Sequence, residues 1–154
     1  MEFNIAGILI KRKPVETSLE SILGNKLTFC REIDFEEATS SYRDENTVDI
    51  LQTQTGTLII TELGQVYDIS NFDGEIIQFM ISDISDTYYF EKYINGNLDR
   101  KYIYSQGEIP ENKGKGIIKE DEDMMDLIWE LTDVYLQNNF LKTMFEKRFK
   151  RYKL

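Results

Sequence analysis

Carboxylates are the most abundant groups in this sequence that could do chemistry. The chain of 154 residues has 28 Asp and Glu residues, no histidine and one cysteine, Cys30. Two carboxylates can act together as the acid and base of a hydrolase, but no spacing singles out one pair in so acidic a chain. The absence of histidine removes Ser-His and Cys-His nucleophiles and the commonest general base. The composition therefore favours a protein that is not an enzyme.

Motifs for cofactors and metals are also missing. The run from Gly107 to Gly114-Lys115-Gly116 lacks the frame and the following Ser or Thr of a P-loop. Zinc sites built from Cys and His need more than one cysteine. The acids 120–123 lack the spacing and glycine of an EF-hand, and are typical of carboxylates at the positive end of a helix dipole. We expect no cofactor and no bound metal.

Charge is distributed unevenly along the chain. Residues 142–154 contain six basic residues and one acid, whereas the whole chain carries a net charge of −10. Residues 1–141 therefore carry a net −15. So acidic a body repels nucleic acid and anionic membranes and attracts basic partners. We expect neither nucleic-acid binding nor membrane binding.

Length and periodicity predict a single α+β domain over residues 1–154. Alternating apolar residues predict a mainly antiparallel sheet, with strands at 3–11, 27–33, 47–52, 57–62 and 75–82. Gly7 inside the first of them indicates a bulge or a close approach of another chain segment. A short helix is expected at 18–23 before Gly24, with packed helices near 34–41 and 121–138 and a Gly-containing loop at 106–119.

The most definite local prediction is a β-hairpin over 87–105. Asn95-Gly96 is the strongest sequence signal for a two-residue turn, because a type I′ turn needs positive φ at both central positions. With these residues at the tip, Glu91 is expected opposite Arg100, and Lys92 opposite Asp99. Tyrosines make the hairpin a possible partner-binding face, although an ordinary core face explains them more simply.

The basic C-terminal segment is predicted to be helical. Leu141, Phe145 and Phe149 recur at helical spacing over 140–152, which is typical of a helix docked by one apolar stripe. We therefore expect this helix to pack on the body of the protein rather than to bind nucleic acid.

One part of the chain resembles known proteins. The stretch Tyr89-Phe90-Glu91-Lys92-Tyr93-Ile94-Asn95-Gly96-Asn97-Leu98-Asp99-Arg100, with Gly107-Glu108, Asn112-Lys113-Gly114 and Ile118-Lys119-Glu120 after it, resembles a loose group of small bacterial proteins. Some of that group are similar to immunity proteins that neutralise toxins in contact-dependent competition. The resemblance covers about residues 85–140 and implies an α+β fold, with no catalytic residues to carry over.

These observations predict a non-enzymatic, acidic protein-binding domain in the bacterial cytoplasm, and an immunity-type inhibitor of a basic toxin is the specific form expected. The alternative is a small-ligand-binding domain with an aromatic pocket beside the sheet. The apolar run at 5–10 is too short for a signal sequence or a membrane span. The residues predicted to bind a basic partner are Glu36, Glu37, Asp44, Glu45, Glu91 and Asp99.

Overall fold

A computed structural model describes residues 3–114 and 123–154. The strands in this part of the chain are β1 (Asn4–Ile10), β2 (Thr28–Asp34), β3 (Thr47–Gln52), β4 (Thr57–Thr61), β5 (Glu75–Ser82), β6 (Thr87–Ile94), β7 (Asn97–Ser105), β8 (Glu108–Gly114) and β9 (Arg148–Lys153). The helices are α1 (Glu16–Leu23), α2 (Phe35–Ala38), α3 (Met124–Leu136) and α4 (Phe140–Thr143), and a 3₁₀ turn, Met144–Glu146, follows α4.

These strands form one antiparallel sheet in the order β2-β9-β3-β4-β1-β5-β6-β7-β8. The prediction of a mainly antiparallel sheet is confirmed. The five strands predicted before residue 83 match β1 to β5 to within one residue at each end. Two long-range placements stand out: β1 lies at the centre of the sheet, and the C-terminal strand β9 lies between β2 and β3.

Each face of the sheet has its own core because apolar residues alternate along the central strands. In β1, Ile5 and Leu9 belong to one core, whereas Ile8 and Ile10 belong to the other. The first core also contains Trp129 of α3, together with Met124, Met125, Ile128, Tyr135, Leu136 and Phe140. The second contains Leu19 and Leu23 of α1 and Ile69 from the segment between β4 and β5.

Gly7 is required by the close packing at the centre of the sheet. A Cβ atom at this position would lie 2.6 Å from the carbonyl oxygen of Ile59 and 2.6 Å from the ring of Phe79. The predicted close approach is therefore confirmed, and any larger residue would push neighbouring strands apart.

Gly24 and Asp34 cap helices as the sequence predicts, but the helix expected near 34–41 is a single turn that ends at Ala38. Gly24 ends α1 with a left-handed φ of 73°. The side chain of Asp34 accepts a hydrogen bond of 2.8 Å from the backbone nitrogen of Glu37 and begins α2. Asp123 begins α3 in the same way, since its carboxylate accepts from the backbone nitrogens of Met125 and Asp126. Residues 121 and 122 of the predicted 121–138 helix lie outside the described residues.

The predicted C-terminal helix is wrong beyond Glu146. Only Phe140–Thr143 is α-helical, and Arg148–Lys153 is a strand that pairs with β2 on one side and β3 on the other. Phe149 is fully buried as predicted, but Leu141 and Phe145 are 44% and 57% exposed. The inward positions of β9 are Phe149 and Arg151, so a buried arginine hides the alternation that would have indicated a strand.

The loop predicted for 106–119 is also partly wrong. Glu108–Gly114 forms β8, which pairs with β7 at the edge of the sheet. Pro110 and two acidic residues make the sequence of β8 typical of a loop. Proline is nevertheless tolerated on an edge strand, where one side makes no ladder hydrogen bonds. Residues 115–119 lie outside the described part of the chain.

The hairpin turn is confirmed, and its register is wrong. Asn95 and Gly96 form the tip with positive φ values of 50° and 80°. Tyr93 faces Leu98, but beyond them Asp99 is an extra residue on β7, so Glu91 faces Lys101 and Lys92 faces Arg100. The bulge places Phe90 opposite Tyr102, and both are buried. Burying an aromatic ring is worth about 1.5–3 kcal/mol, which exceeds the roughly 0.2–1 kcal/mol of a cross-strand ion pair.

The two C-terminal phenylalanines should differ sharply in their effect on stability. Phe149→Ala should lower the free energy of unfolding by about 3–5 kcal/mol, because it leaves a cavity in the core. Phe145→Ala removes a half-exposed ring whose described ring contact is an edge contact with Phe35 at 5.4 Å, and should cost about 1 kcal/mol. Urea denaturation measures both values. Equal losses for the two variants would contradict the strand assignment.

Candidate protein-binding surface

The six acids predicted to bind a partner have different surroundings in the structure. Glu37 and Asp44 pair with arginines, Glu91 is buried, and Asp99 lies beside Lys92. Glu36 and Glu45 are exposed and have no Lys or Arg nitrogen within 4.0 Å among the described residues. The structure brings Glu37 and Asp44 together, and it places Glu91 and Asp99 on the separate β6–β7 hairpin.

Glu37 and Asp44 are bound to a buried arginine of the C-terminal strand. Nη1 of Arg151 lies 3.3 Å from Oε2 of Glu37 and 3.1 Å from Oδ2 of Asp44. The other side of the Arg151 guanidinium binds Asp49 of β3 through both oxygens, at 2.8 and 3.0 Å. Arg151 is 2% exposed and Asp49 is fully buried. Two of the predicted acids therefore help to neutralise a buried internal charge.

Arg31 of β2 adds a more exposed layer to this cluster. It donates a short hydrogen bond to Glu37 and lies 3.6 Å from Asp44. The hydrogen bond from Arg31 lowers the pKa of Glu37. A lowered pKa stabilises the fold above the unfolded-state pKa, and that contribution is lost as the pH falls through the folded-state value. The side chains of Arg31 and Glu37 are 49% and 40% exposed, so solvent screening keeps this contribution small.

Glu91 lies in the opposite half of the molecule, in a polar cluster on the second face of the sheet. Its Oε1 accepts a 2.7 Å hydrogen bond from the amide of Gln78, which in turn binds the backbone nitrogen and oxygen of Tyr67 at 2.8 Å each. Burial, and then hydrogen bonding to Glu91, raise the pKa of Tyr89. At 5% exposure, Glu91 is out of reach of a partner in this conformation.

Three further acids that face solvent without a cation among the described residues lie on α3, which the sequence predicts to be a core helix. We call Asp126, Glu130 and Asp133 the α3 ridge. Their spacings of four and three residues place them on one side of the helix. Asp126 and Glu130 are exposed and Asp133 is partly exposed. None of the three has a Lys or Arg nitrogen within 4.0 Å in the described part of the chain, and α3 itself contains no basic residue.

Exposed apolar side chains accompany the α3 ridge. Val134 is 58% exposed and lies four residues after Glu130, so the two are neighbours on the helix surface. Leu141 belongs to α4, which contacts α3, and Phe145 belongs to the 3₁₀ turn, which contacts α4. Apolar anchors surrounded by charged residues are typical of protein-binding surfaces. The exposed part of α3 could have been found from the acids at 126, 130 and 133, which lie on the side of the helix opposite its apolar stripe.

The described residues contain neither a candidate metal cluster nor a candidate membrane-spanning helix. Among residues 3–114 and 123–154, no group of three or more Cys, Asp or Glu residues is placed to hold an ion. No helix in these ranges is long and apolar enough to cross a membrane. The aromatic residues Phe35, Trp129 and Phe140 pack against one another, with ring centroids 5.4–6.2 Å apart.

Comparisons with known proteins add no relative. The chain matches no protein-family model, no curated protein and no solved structure.

The α3 ridge should reduce the stability of the free protein. Asp133 lies near the C-terminal, negative end of the helix dipole and three residues after Glu130, so its charge is unfavourable on both counts. Asp133→Asn should raise the free energy of unfolding by about 0.5–1 kcal/mol at low salt. Asp126→Asn, in the first turn, should give no such gain and serves as the control. A loss of stability in Asp133→Asn, measured by urea denaturation, would show that this carboxylate makes a stabilising contact.

Proposed function

We propose that this protein is a non-enzymatic, acidic protein-binding domain that uses the outer surface of α3 to bind a basic partner. The observation that carries the proposal is the α3 ridge, whose carboxylates face solvent without a neutralising cation among the described residues. Glu37, Asp44 and Asp49, in contrast, are each bound by arginine. The carboxylates of α3 are therefore among those that remain available to a partner.

Charge and apolar surface would act together in such an interface. The net charge of −10 steers a basic partner toward the protein and increases the association rate. Val134, Leu141 and Phe145 are exposed, and their burial on binding would slow dissociation, because truncating buried anchors mainly affects the dissociation rate. Glu36 and Glu45, which are exposed and unpaired, would extend the acidic surface.

An immunity-type inhibitor is the specific form of this proposal. Its support is the resemblance over about residues 85–140, together with the acidic body. A toxin that acts on nucleic acid carries a basic surface for phosphates, and a row of carboxylates on a rigid helix offers the same charge. The proposed site of action is the bacterial cytoplasm.

Three forms of the protein test the proposal by affinity capture from cells that produce it. They are the unmodified protein, a ridge-neutral variant (Asp126→Asn, Glu130→Gln, Asp133→Asn) and a charge-matched control (Glu16→Gln, Glu32→Gln, Glu108→Gln). The control removes three exposed acids that take part in no described ion pair. We expect the unmodified protein and the control to retain one basic protein, and the ridge-neutral variant to lose it.

The captured protein is then purified and its binding rates are measured. Association should slow markedly between 0.1 and 1 M salt, since the Debye length falls from about 10 Å to about 3 Å. Val134→Ser should speed dissociation, whereas Val15→Ser, at a similarly exposed position, should not. Equal capture by all three forms, or by none, would contradict the proposal.

A further inference from the structure

A depression in the surface lies at the end of the sheet where β3 begins and β4 and β9 end. Its volume is about 360 Å³, and small-molecule sites are typically about 300–1,000 Å³ in volume. The residues that line it are Leu23, Asn25, Asn46, Glu62, Gln65, Tyr67 and Leu154. The depression therefore has room for a small organic ligand.

Glu62 is the only charged side chain in this lining. Its carboxylate has no Lys or Arg nitrogen within 4.0 Å in the described part of the chain. Arg43 interacts with Glu62 over a greater distance, but its guanidinium is bound to Asp49 at 3.0 Å, so it does not neutralise Glu62. The lining thus carries a net negative charge, which attracts cations and repels anions.

Several oxygen atoms of the lining residues have no donor among the described residues. Oε1 of Glu62 accepts a short hydrogen bond from the backbone nitrogen of Asn46, and Oε2 accepts none. The side-chain amide of Asn25 donates to the carbonyl of Leu23 at 3.5 Å through Nδ2, which leaves its oxygen without a donor. An ammonium group has three donors and no acceptor, so a carboxylate accompanied by amide oxygens matches it.

The rest of the lining is apolar or aromatic. Leu23 and Leu154 contribute aliphatic surface, and Tyr67 contributes the one aromatic ring. Burial, and then the charge of Glu62, raise the pKa of Tyr67, so the Glu62 carboxylate acts on the neighbourhood of the ring. Aromatic rings attract cations, and aliphatic side chains pack against hydrocarbon. The lining therefore suits a cation that carries a hydrocarbon chain.

An inorganic cation fits this lining less well. Calcium takes six to eight oxygen ligands, with carboxylates prominent among them, whereas this lining has one carboxylate and two leucines. Among residues 3–114 and 123–154, no group of three or more Cys, Asp or Glu residues is placed to hold a metal ion. The size and the apolar portion of the depression favour an organic cation.

We propose that this depression binds a small primary amine in its cationic form, carried on a short apolar chain. Glu62 pairs with the ammonium group, side-chain amide oxygens of the lining accept its other N–H groups, and Leu23 and Leu154 contact the chain. The site shares no residue with the α3 ridge, so this inference stands or falls separately from the proposed function.

Titration of ¹⁵N-labelled protein at neutral pH with n-butylamine, n-pentylamine and 2-phenylethylamine tests it. The comparators are 1-pentanol, pentanoate and calcium chloride, which separate the cationic charge from the chain and from charge alone. We expect saturable amide shifts at Asn46, Gln65 and Tyr67 for at least one amine, with a Kd below about 1 mM and at least about tenfold below that of 1-pentanol. Failure of all three amines, a smaller preference over 1-pentanol, or saturable binding of pentanoate or calcium at these positions would overturn the proposal.

A charge variant tests the role assigned to Glu62. Glu62→Gln keeps a side-chain oxygen for the backbone nitrogen of Asn46 but removes the charge, and should raise the Kd of the amine at least about tenfold without strengthening the binding of 1-pentanol. Glu108→Gln removes an exposed acid from β8, at the far edge of the sheet, and should leave the Kd unchanged. Equal Kd values for Glu62→Gln and the unmodified protein would overturn the proposal.

A steric variant locates the binding in the depression. Gln65→Phe places a ring at an exposed position of the lining and should raise the Kd of the amine at least about tenfold. Thr17→Phe, at an exposed position of α1 outside the lining, should not change it. An unchanged Kd in Gln65→Phe would place the amine elsewhere on the protein and overturn the proposal.

Discussion

The buried pair of Arg151 and Asp49 is the interaction on which the arrangement of this fold depends. It joins β9 to β3 across 102 residues of sequence, with two hydrogen bonds of 2.8 and 3.0 Å. Two charges removed from water are costly unless the geometry is good and their remaining hydrogen-bonding groups are satisfied. Here the third nitrogen of Arg151 binds Glu37 and Asp44, and Asp49 also binds Arg43. The pair thus joins two strands to α2 and the segment that follows it, and it defines the register in which β9 enters the sheet.

The position of β9 makes this constraint a global one. β2 is attached to the sheet through β9, since β9 is its neighbour in the strand order. The C-terminal residues must therefore be in place before β2 can join the sheet. The same cluster also determines which carboxylates are neutralised inside the protein. Arg31, Arg43 and Arg151 neutralise Glu37, Asp44 and Asp49, whereas the α3 ridge has no such partner among the described residues and carries its charge to the surface.

Sequence patterns predicted the parts of the fold in which one physical rule dominates. Apolar alternation predicted β1 to β5. The Asn95-Gly96 pair, which tolerates positive φ, predicted the hairpin tip, and Asp34 predicted the start of α2. The helix predicted over 140–152 was wrong in the region of β9, because Arg151 is buried as an ion pair and a hydropathy pattern counts it as a surface residue. The predicted hairpin register was wrong because Phe90 and Tyr102 share the core, which outweighs the predicted pairing of Glu91 with Arg100; Lys92 and Asp99 still lie 3.8 Å apart.

The candidate surface was predictable only in its general chemistry. The net charge indicated a basic partner, but the sequence does not say which carboxylates are used internally, because that depends on contacts such as Arg151 with Asp44, which lie 107 residues apart. Glu91 illustrates the same limit: its charged neighbours in the hairpin sequence indicate an exposed residue, yet Gln78 and the loop at Tyr67 enclose it. The unpaired acids of α3 were visible in the sequence as a polar face on the side opposite its apolar stripe.

A double-mutant cycle on Arg151 and Asp49 tests the central claim most directly. Unfolding free energies are measured for Arg151→Met, Asp49→Asn and the double variant. Arg151→Met should cost about 3–5 kcal/mol, because it leaves the buried carboxylate of Asp49 without its main partner. The cost of the double variant should fall short of the sum of the single costs by at least about 1 kcal/mol. Single costs that add to within about 0.5 kcal/mol would show that the two residues stabilise the fold independently, and would contradict the account.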